Sequence, residues 1–212
     1  MPATNPTADD LQRYLAAAGL IDVSPASPFT FVDLAQRVAS AQSDFEGRIG
    51  RTLLATLGSR TYDPPTTTVL PQRLFLNADL AGNPTALSIG GIVKVLDADY
   101  FMGSENSDAD GLPFQWIEFP NYVTAVRKSI VVTGYWGYAL TIPDGAWAAM
   151  LARAAYLSHP ELAAAITQGM IRFTDEGFGA NFGREPMDWL RDQWDAIYEA
   201  GVARYRRLSV DG

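Results

Sequence analysis

One histidine and no cysteine stand in a chain of 212 residues, beside 24 acidic and 16 basic side chains. That inventory decides which chemistries are open. Without thiols there is no cysteine nucleophile, no disulfide, no iron–sulfur cluster and no thiolate zinc site. With His159 alone, a multi-histidine metal centre cannot be built within one chain. A Ser–His–acid triad would have to use His159, which follows an apolar helical run and precedes Pro160, a capping or turn position; no G-x-S-x-G elbow is present. No P-loop occurs either. Gly177, Gly179 and Gly183 make a Gly-rich stretch, but no strand leads into it and Arg184-Glu185-Pro186 follows, so it reads as a loop rather than a phosphate cradle.

Two oxygen-based chemistries remain. Asn106-Ser107-Asp108-Ala109-Asp110-Gly111 has the alternating ligands and the glycine of the first half of a calcium loop. The bidentate acid should then fall at Ile117, and Glu118 comes one residue late; the flanks look like strands, so the segment Gly103 to Gly111 reads as a solvated hairpin tip with Ca²⁺ left open. Asp97, Asp99, Glu118, Asp175 and Glu176 could supply the paired carboxylates of a glycoside hydrolase. Tyr135, Trp136, Tyr138 and Trp147, and the pair Trp189 and Trp194, could supply stacking platforms for it. The helical spacing around Trp147 and Trp194 favours packing instead. The expectation is therefore a protein with no catalytic, cofactor-binding or metal residues, with a carbohydrate-active hydrolase as the alternative.

The elements that carry these residues fall into three zones, 1–58, 59–140 and 141–212. In the first, an amphipathic helix from Asp9 to Ala18 ends at Gly19 as C′ residue. After the Pro/Ser-rich link Ser24 to Pro28, Thr30 with Asp33 opens a long helix. Phe31, Leu34, Val38, Ala41, Phe45, Ile49 and Leu53 form its apolar stripe, Gly47 and Gly50 are candidates for a close helix contact, and Gly58 ends it. The second zone has strand patterning at Val69 to Leu76, Ala86 to Leu96, Phe114 to Phe119 and Ser129 to Tyr135. Ile92, Val93, Val95 and Leu96 around Lys94 suggest a largely buried strand. The third is helical: a run over Trp147, Met150, Leu151, Ala154 and Leu157 stopped by Ser158-His159-Pro160, a short helix from Glu161 to Gln168, and a last helix from Pro186 with Leu190, Trp194, Ile197 (or Tyr198), Val202 and Tyr205 on one side. The expected class is α+β: a helical bundle (long N-terminal helix plus C-terminal helices) with an inserted antiparallel β block.

Charge narrows the partners. A net charge of −8 argues against a surface that grips phosphate backbones. Lys94 and Lys128 are the only lysines and the other basic residues are Arg, the residue better suited to bidentate pairing and aromatic stacking at interfaces. The N-terminus has neither the basic nor the apolar region of a signal peptide, and no apolar run approaches the ~20 residues that span a bilayer, so no membrane association is expected.

Two segments in order resemble the phage head–tail connector (adaptor) family. One is the helix end Ala39-Ser-Ala-Gln-Ser-Asp-Phe45-Glu46-Gly-Arg48-Ile-Gly50-Arg51, similar to the family's helix closing on an acidic residue and a Gly-Arg pair. The other is Val131-Val-Thr-Gly134-Tyr-Trp136-Gly137-Tyr-Ala-Leu-Thr-Ile142-Pro143-Asp144 leading into the Ala-rich helix Ala146 to Tyr156, similar to the family's strand, Gly-aromatic-Gly turn, Ile-Pro and helix. The resemblance implies one compact adaptor domain and a ring, commonly of twelve copies, docked beneath the portal and extending the DNA channel toward the tail. Its partners would be the portal protein, neighbouring copies, and a downstream stopper or tail protein, with DNA passing through unbound. Its place would be the virion, reached from the host cytoplasm during assembly; another neck or tail-completion protein is the nearest alternative. By the same resemblance a C-terminal segment engages the portal, here Arg204, Tyr205, Arg206, Arg207, Leu208 and Val210. The chain departs from small members of the family in its 24 N-terminal residues, its wide β zone and Ile171 to Gly183.

Overall fold

A computed structural model describes residues 4–21, 31–103, 112–124, 126–167 and 186–207. The chain divides into a helical unit (1–50 with 143–212) and a β unit (51–142).

In the helical unit, α1 (Ala8–Ala17) starts at Thr7, whose hydroxyl accepts from the Asp10 amide while the Asp10 carboxylate accepts from the Thr7 amide. Both orphan donors are thereby satisfied. Gly19, at φ 71°, ends the helix. α2 (Phe31–Ile49) buries Leu34, Val38, Ala41, Phe45 and Ile49, the expected stripe, but stops nine residues before Gly58. Gly50 is the terminator: it takes φ 69°, and its amide bonds Glu46 O at 3.0 Å. A side chain at Gly47 or Gly50 would meet nothing within 4 Å, so neither marks a close helix contact; that role falls to Gly201, where an added Cβ would lie 2.5 Å from Ala149 Cβ. α3 runs unbroken over Asp144–Thr167 with Pro160 inside it, so Ser158-His159-Pro160 does not stop the run. An interior proline costs about 3 kcal/mol; burial of Leu151, Ala154, Ala155 and Leu162 on either side offsets that cost. α4 (Pro186–Tyr205) buries Leu190, Trp194, Tyr198, Val202 and Tyr205 and leaves Ile197 outside.

The β unit holds β1 (Thr56–Tyr62), β2 (Gln72–Leu80), β3 (Ala86–Ile89), β4 (Ile92–Lys94), β5 (Phe101–Gly103), β6 (Phe114–Phe119) and β7 (Ile130–Trp136). They form one antiparallel sheet in the order β4-β3-β7-β2-β6-β5. β1 and β3 both pair the Ile130–Thr133 stretch of β7, so they flank it on opposite sides. Alternation places Leu74 and Leu76 of β2 and Ile130, Val132 and Trp136 of β7 in the core, with Phe75, Thr133 and Tyr135 facing out. A register shift between Phe75 and Leu80 bends β2. The sheet curls into a half-barrel.

This corrects the expected architecture. The β residues are not a block inserted into a helical bundle: among the described residues the fold centres on a seven-stranded sheet with its own core, accompanied by four helices. Short strand-like runs bounded by turns look like an insertion until pairing joins them into a sheet that buries its own face. Two strands also escaped the pattern. Thr56–Tyr62 begins inside the stretch expected to be helical up to Gly58, and Phe101–Gly103 is only three residues long. The apparent strand Ala86 to Leu96 is a hairpin. It reverses at Gly90-Gly91, both at positive φ, as a two-residue turn requires.

Candidate partner-binding surfaces

Arg51, the last residue of the first segment that carries the family resemblance, and the residues just after it meet the second segment inside the β unit. The amide of Tyr138 bonds Thr52 O at 2.9 Å, Ala139 N bonds Leu53 O at 3.0 Å, and Ala55 N returns to Ala139 O at 2.9 Å. Arg51 lies over the Tyr138 ring at 5.2 Å and reaches the Asp79 carboxylate, Nε to Oδ2 3.4 Å, both side chains being almost fully buried. Trp136 is buried and donates from Nε1 to Gly58 O, with Arg60 over its ring at 4.7 Å. The motif aromatics hold the chain together here, and only Tyr135 of the run faces out.

On the helical unit, Asp44 accepts from Arg153 Nε at 2.8 Å and from the Tyr198 hydroxyl at 3.0 Å. Arg48 pairs with Glu199, and Arg48 and Arg153 lie over the Tyr198 ring at 5.3 and 4.9 Å. The hydrogen bond from Arg48 holds the Glu199 carboxyl below its usual range. Burial, then the bond to Asp44, pushes the Tyr198 phenol up to about 12 from 10.0. A phenol whose folded pKa exceeds its unfolded value stabilises the fold fully below the unfolded pKa, and that share is lost as pH rises through the folded one. Urea titrations between about pH 10 and 12 should therefore show the parent losing stability faster than Tyr198→Phe; parallel losses would remove Tyr198 from this role.

The C-terminal segment separates into parts. Tyr205 is a core residue, its ring 6.5 Å from Phe45, edge to face. Arg204 and Arg206 are exposed and Arg207 half-buried, its amide bonded to Ile49 O at 2.9 Å. Leu208 and Val210 lie outside the described residues, as do the Asn106–Gly111 segment, Asp175, Glu176 and the Gly177–Gly183 stretch.

Two of the carboxylates considered for hydrolysis are engaged in structural contacts. Asp99 accepts the Val95 amide at 2.8 Å, and Glu118 accepts from Arg73 at 3.1 Å across the β2–β6 pair. His159 sits inside α3 rather than at its end. Among the described residues no group of three or more His, Asp or Glu side chains could hold a metal ion.

What the periodicity missed is exposed apolar surface. Ile92 and Val93 of β4, expected to be buried, are 66% and 70% exposed, and Val95 beyond them is also open. β4 is a three-residue strand at the end of the sheet, paired on one side only among the described residues. Val69 and Leu70 line a groove of about 610 Å³ together with Pro64, Pro65 and Phe75. Their signal was present as apolar residues inside a Thr/Pro-rich stretch with no period to bury them.

No family model matches the chain, and no curated protein does. Among solved structures it is similar to a chain from the neck of an empty gene transfer agent (GTA) particle computed with C6 symmetry, with a TM-score of 0.54 and 14% identity over 100% of this chain and 94% of that one. A chain from the virion of the native GTA particle gives 0.54 and 13% over the same shares. At such identities the likeness is one of fold, and it runs the whole length of the chain.

Proposed function

We propose that this protein is a structural component of a phage-like virion neck: a head–tail adaptor that forms a ring beneath the portal and extends the DNA channel toward the tail, with no catalysis. The observation that carries the reading is the end-to-end likeness to a chain of a GTA neck. The order of the two motif segments and the abundance of exposed apolar side chains support it, because assembly proteins bury such surface only in the complex. Its partners are the portal, neighbouring copies (twelve in the resembling family) and a stopper or tail protein below. It works in the virion after assembly in the host cytoplasm. A net charge of −8 suits a conduit that must let DNA slide, since acidic walls repel phosphates.

Portal docking is assigned to the tip of α4, with Arg204 and Arg206 as the exposed charges, Arg207 beside them and Leu208 and Val210 beyond, while Tyr205 anchors the tip to the core. Particles assembled without the chain should package DNA yet lack tails; tailed, DNA-retaining particles in its absence would sink the reading. Docking is tested more finely by Arg204→Glu with Arg206→Glu, which keeps Tyr205. Removing charges that meet an opposite patch should weaken portal binding about tenfold or more. Unchanged affinity in a pull-down titration places docking elsewhere.

A further inference from the structure

Two surfaces of the chain, one on each unit, complement each other in shape class and charge. The first lies at the end of the sheet where β7 begins. There the hairpin turn is tied by Gly90 N to Ser129 O at 2.9 Å. Lys128 N donates to Asp63 at 2.8 Å, and the Tyr122 hydroxyl donates to Thr68 O at 2.8 Å. The first bond sets the hairpin turn beside the start of β7, and in the segments next to it Ile92, Val93 and Val126 are 66%, 70% and 78% exposed. Lys94, Arg127 and Lys128 belong to the same segments, three cations against two nearby carboxylates: Asp63, 3.7 Å from Arg127, and Asp99, which accepts from the Val95 amide. An apolar end with a cationic border stands out on a chain of net charge −8.

The second surface is the outer face of α4. Trp189, Gln193, Ala196, Ile197 and Ala200 are all exposed, at spacings of four, seven, eight and eleven that share one side of a helix. Beside this stripe run Asp188, Asp192, Asp195 and Glu199. Arg191 pairs with Asp188 and Asp192, and Arg48 with Glu199, which leaves the border acidic.

We infer that these are the two halves of one contact between neighbouring copies: the apolar, cationic end of the sheet of one chain seats on the apolar, acid-bordered face of α4 of the next. The contact is heterologous, each copy offering one surface to one neighbour and a different surface to the other, which is the condition for a closed ring. Apolar centres with oppositely charged rims are the anatomy of specific interfaces, the rims setting register. This deepens the ring reading above and rests on it.

The parent has no cysteine, so disulfide trapping is free of background. Mixed in equal amounts, the full-length single variants Val126→Cys and Ile197→Cys should give the mixed disulfide about tenfold over either homodimer, because a docked pair raises the effective thiol concentration to roughly the millimolar range. Both positions are exposed, and thermal melts matching the parent confirm folding. Adding Lys94→Glu, Arg127→Glu and Lys128→Glu to the first variant should abolish the product, and Asp188→Lys, Asp192→Lys and Asp195→Lys on the second should restore it. A mixed product no more abundant than the homodimers, in the purified chain and in assembled particles alike, overturns the contact. Particles that incorporate the chain without this cross-link refute the contact and leave the neck reading standing. A cross-linked chain absent from particles does the reverse.

Discussion

Arg51→Met should destabilise the protein by about 3–5 kcal/mol, the range for removing one partner of a buried ion pair. The Arg51 and Asp79 side chains are 9% and 1% exposed, and neither Asp79 oxygen has a hydrogen-bond partner among the described residues. The guanidinium 3.4 Å away is what neutralises that carboxylate, and it also lies over the Tyr138 ring. Methionine fills the stem volume but leaves a buried anion unmatched. The double variant Arg51→Met with Asp79→Leu should recover most of the loss, because replacing both charges by apolar groups is often neutral. If the single variant is as stable as the parent at neutral pH, or the double is no better than the single, the pair is not what holds this junction.

The position of Arg51 explains why the resemblance was legible while its reason was not. The stretch from Ala39 to Arg51 reads as a helix end, and the one from Val131 to Asp144 as strand and turn. No local pattern shows that Thr52 and Tyr138 hydrogen-bond each other 86 positions apart. Local signals performed where local physics decides. The Thr7–Asp10 capping box, the α2 stripe and the strand Phe114–Phe119 follow from periodicity and side-chain bonding within a few residues. The failures are long-range. Pro160 stays inside α3 because packing on both sides outweighs a local penalty. Leu53 extends a helical stripe on paper, but a positive φ at Gly50 ends the helix before it and the chain goes on into strand β1. Ile92, Val93 and Val95 look like core because they are β-branched and apolar, and only the sheet order reveals that β4 is terminal. For a protein whose proposed work is contact with other chains, that error matters most, since an apolar residue's role depends on whether its cover comes from its own chain or another.

Gly137→Ala should be the most damaging single methyl group that can be added to the Gly-aromatic-Gly turn. Gly137 has φ 151° and approaches the neighbouring backbone so closely that a Cβ would stand 2.5 Å from Ala55 Cα and 2.8 Å from Ala55 N. The obstacle is main chain rather than the end of a flexible side chain, so no rotamer change relieves it. Ala55 is itself pinned by its amide bond to Ala139 O at 2.9 Å, and Gly137 N is tied to Asp79 O at 2.9 Å. Relief therefore means breaking one of these bonds and parting β1 from β7. Overpacking against fixed groups costs about 1–3 kcal/mol and an unfavourable φ about as much again, so a loss of roughly 3 kcal/mol or more is expected, enough to lower the midpoint of thermal unfolding by several degrees. Gly134→Ala is the internal control. Its Cβ would press mainly on the Leu80 side chain at 2.8 Å, with Pro84 Cα at 3.3 Å, and a side chain can rotate away. The expected order of stability is parent, then Gly134→Ala, then Gly137→Ala. Equal melting of parent and Gly137→Ala would mean that β1 and the turn do not meet as described, and the junction that unites the two motif segments would have to be redrawn.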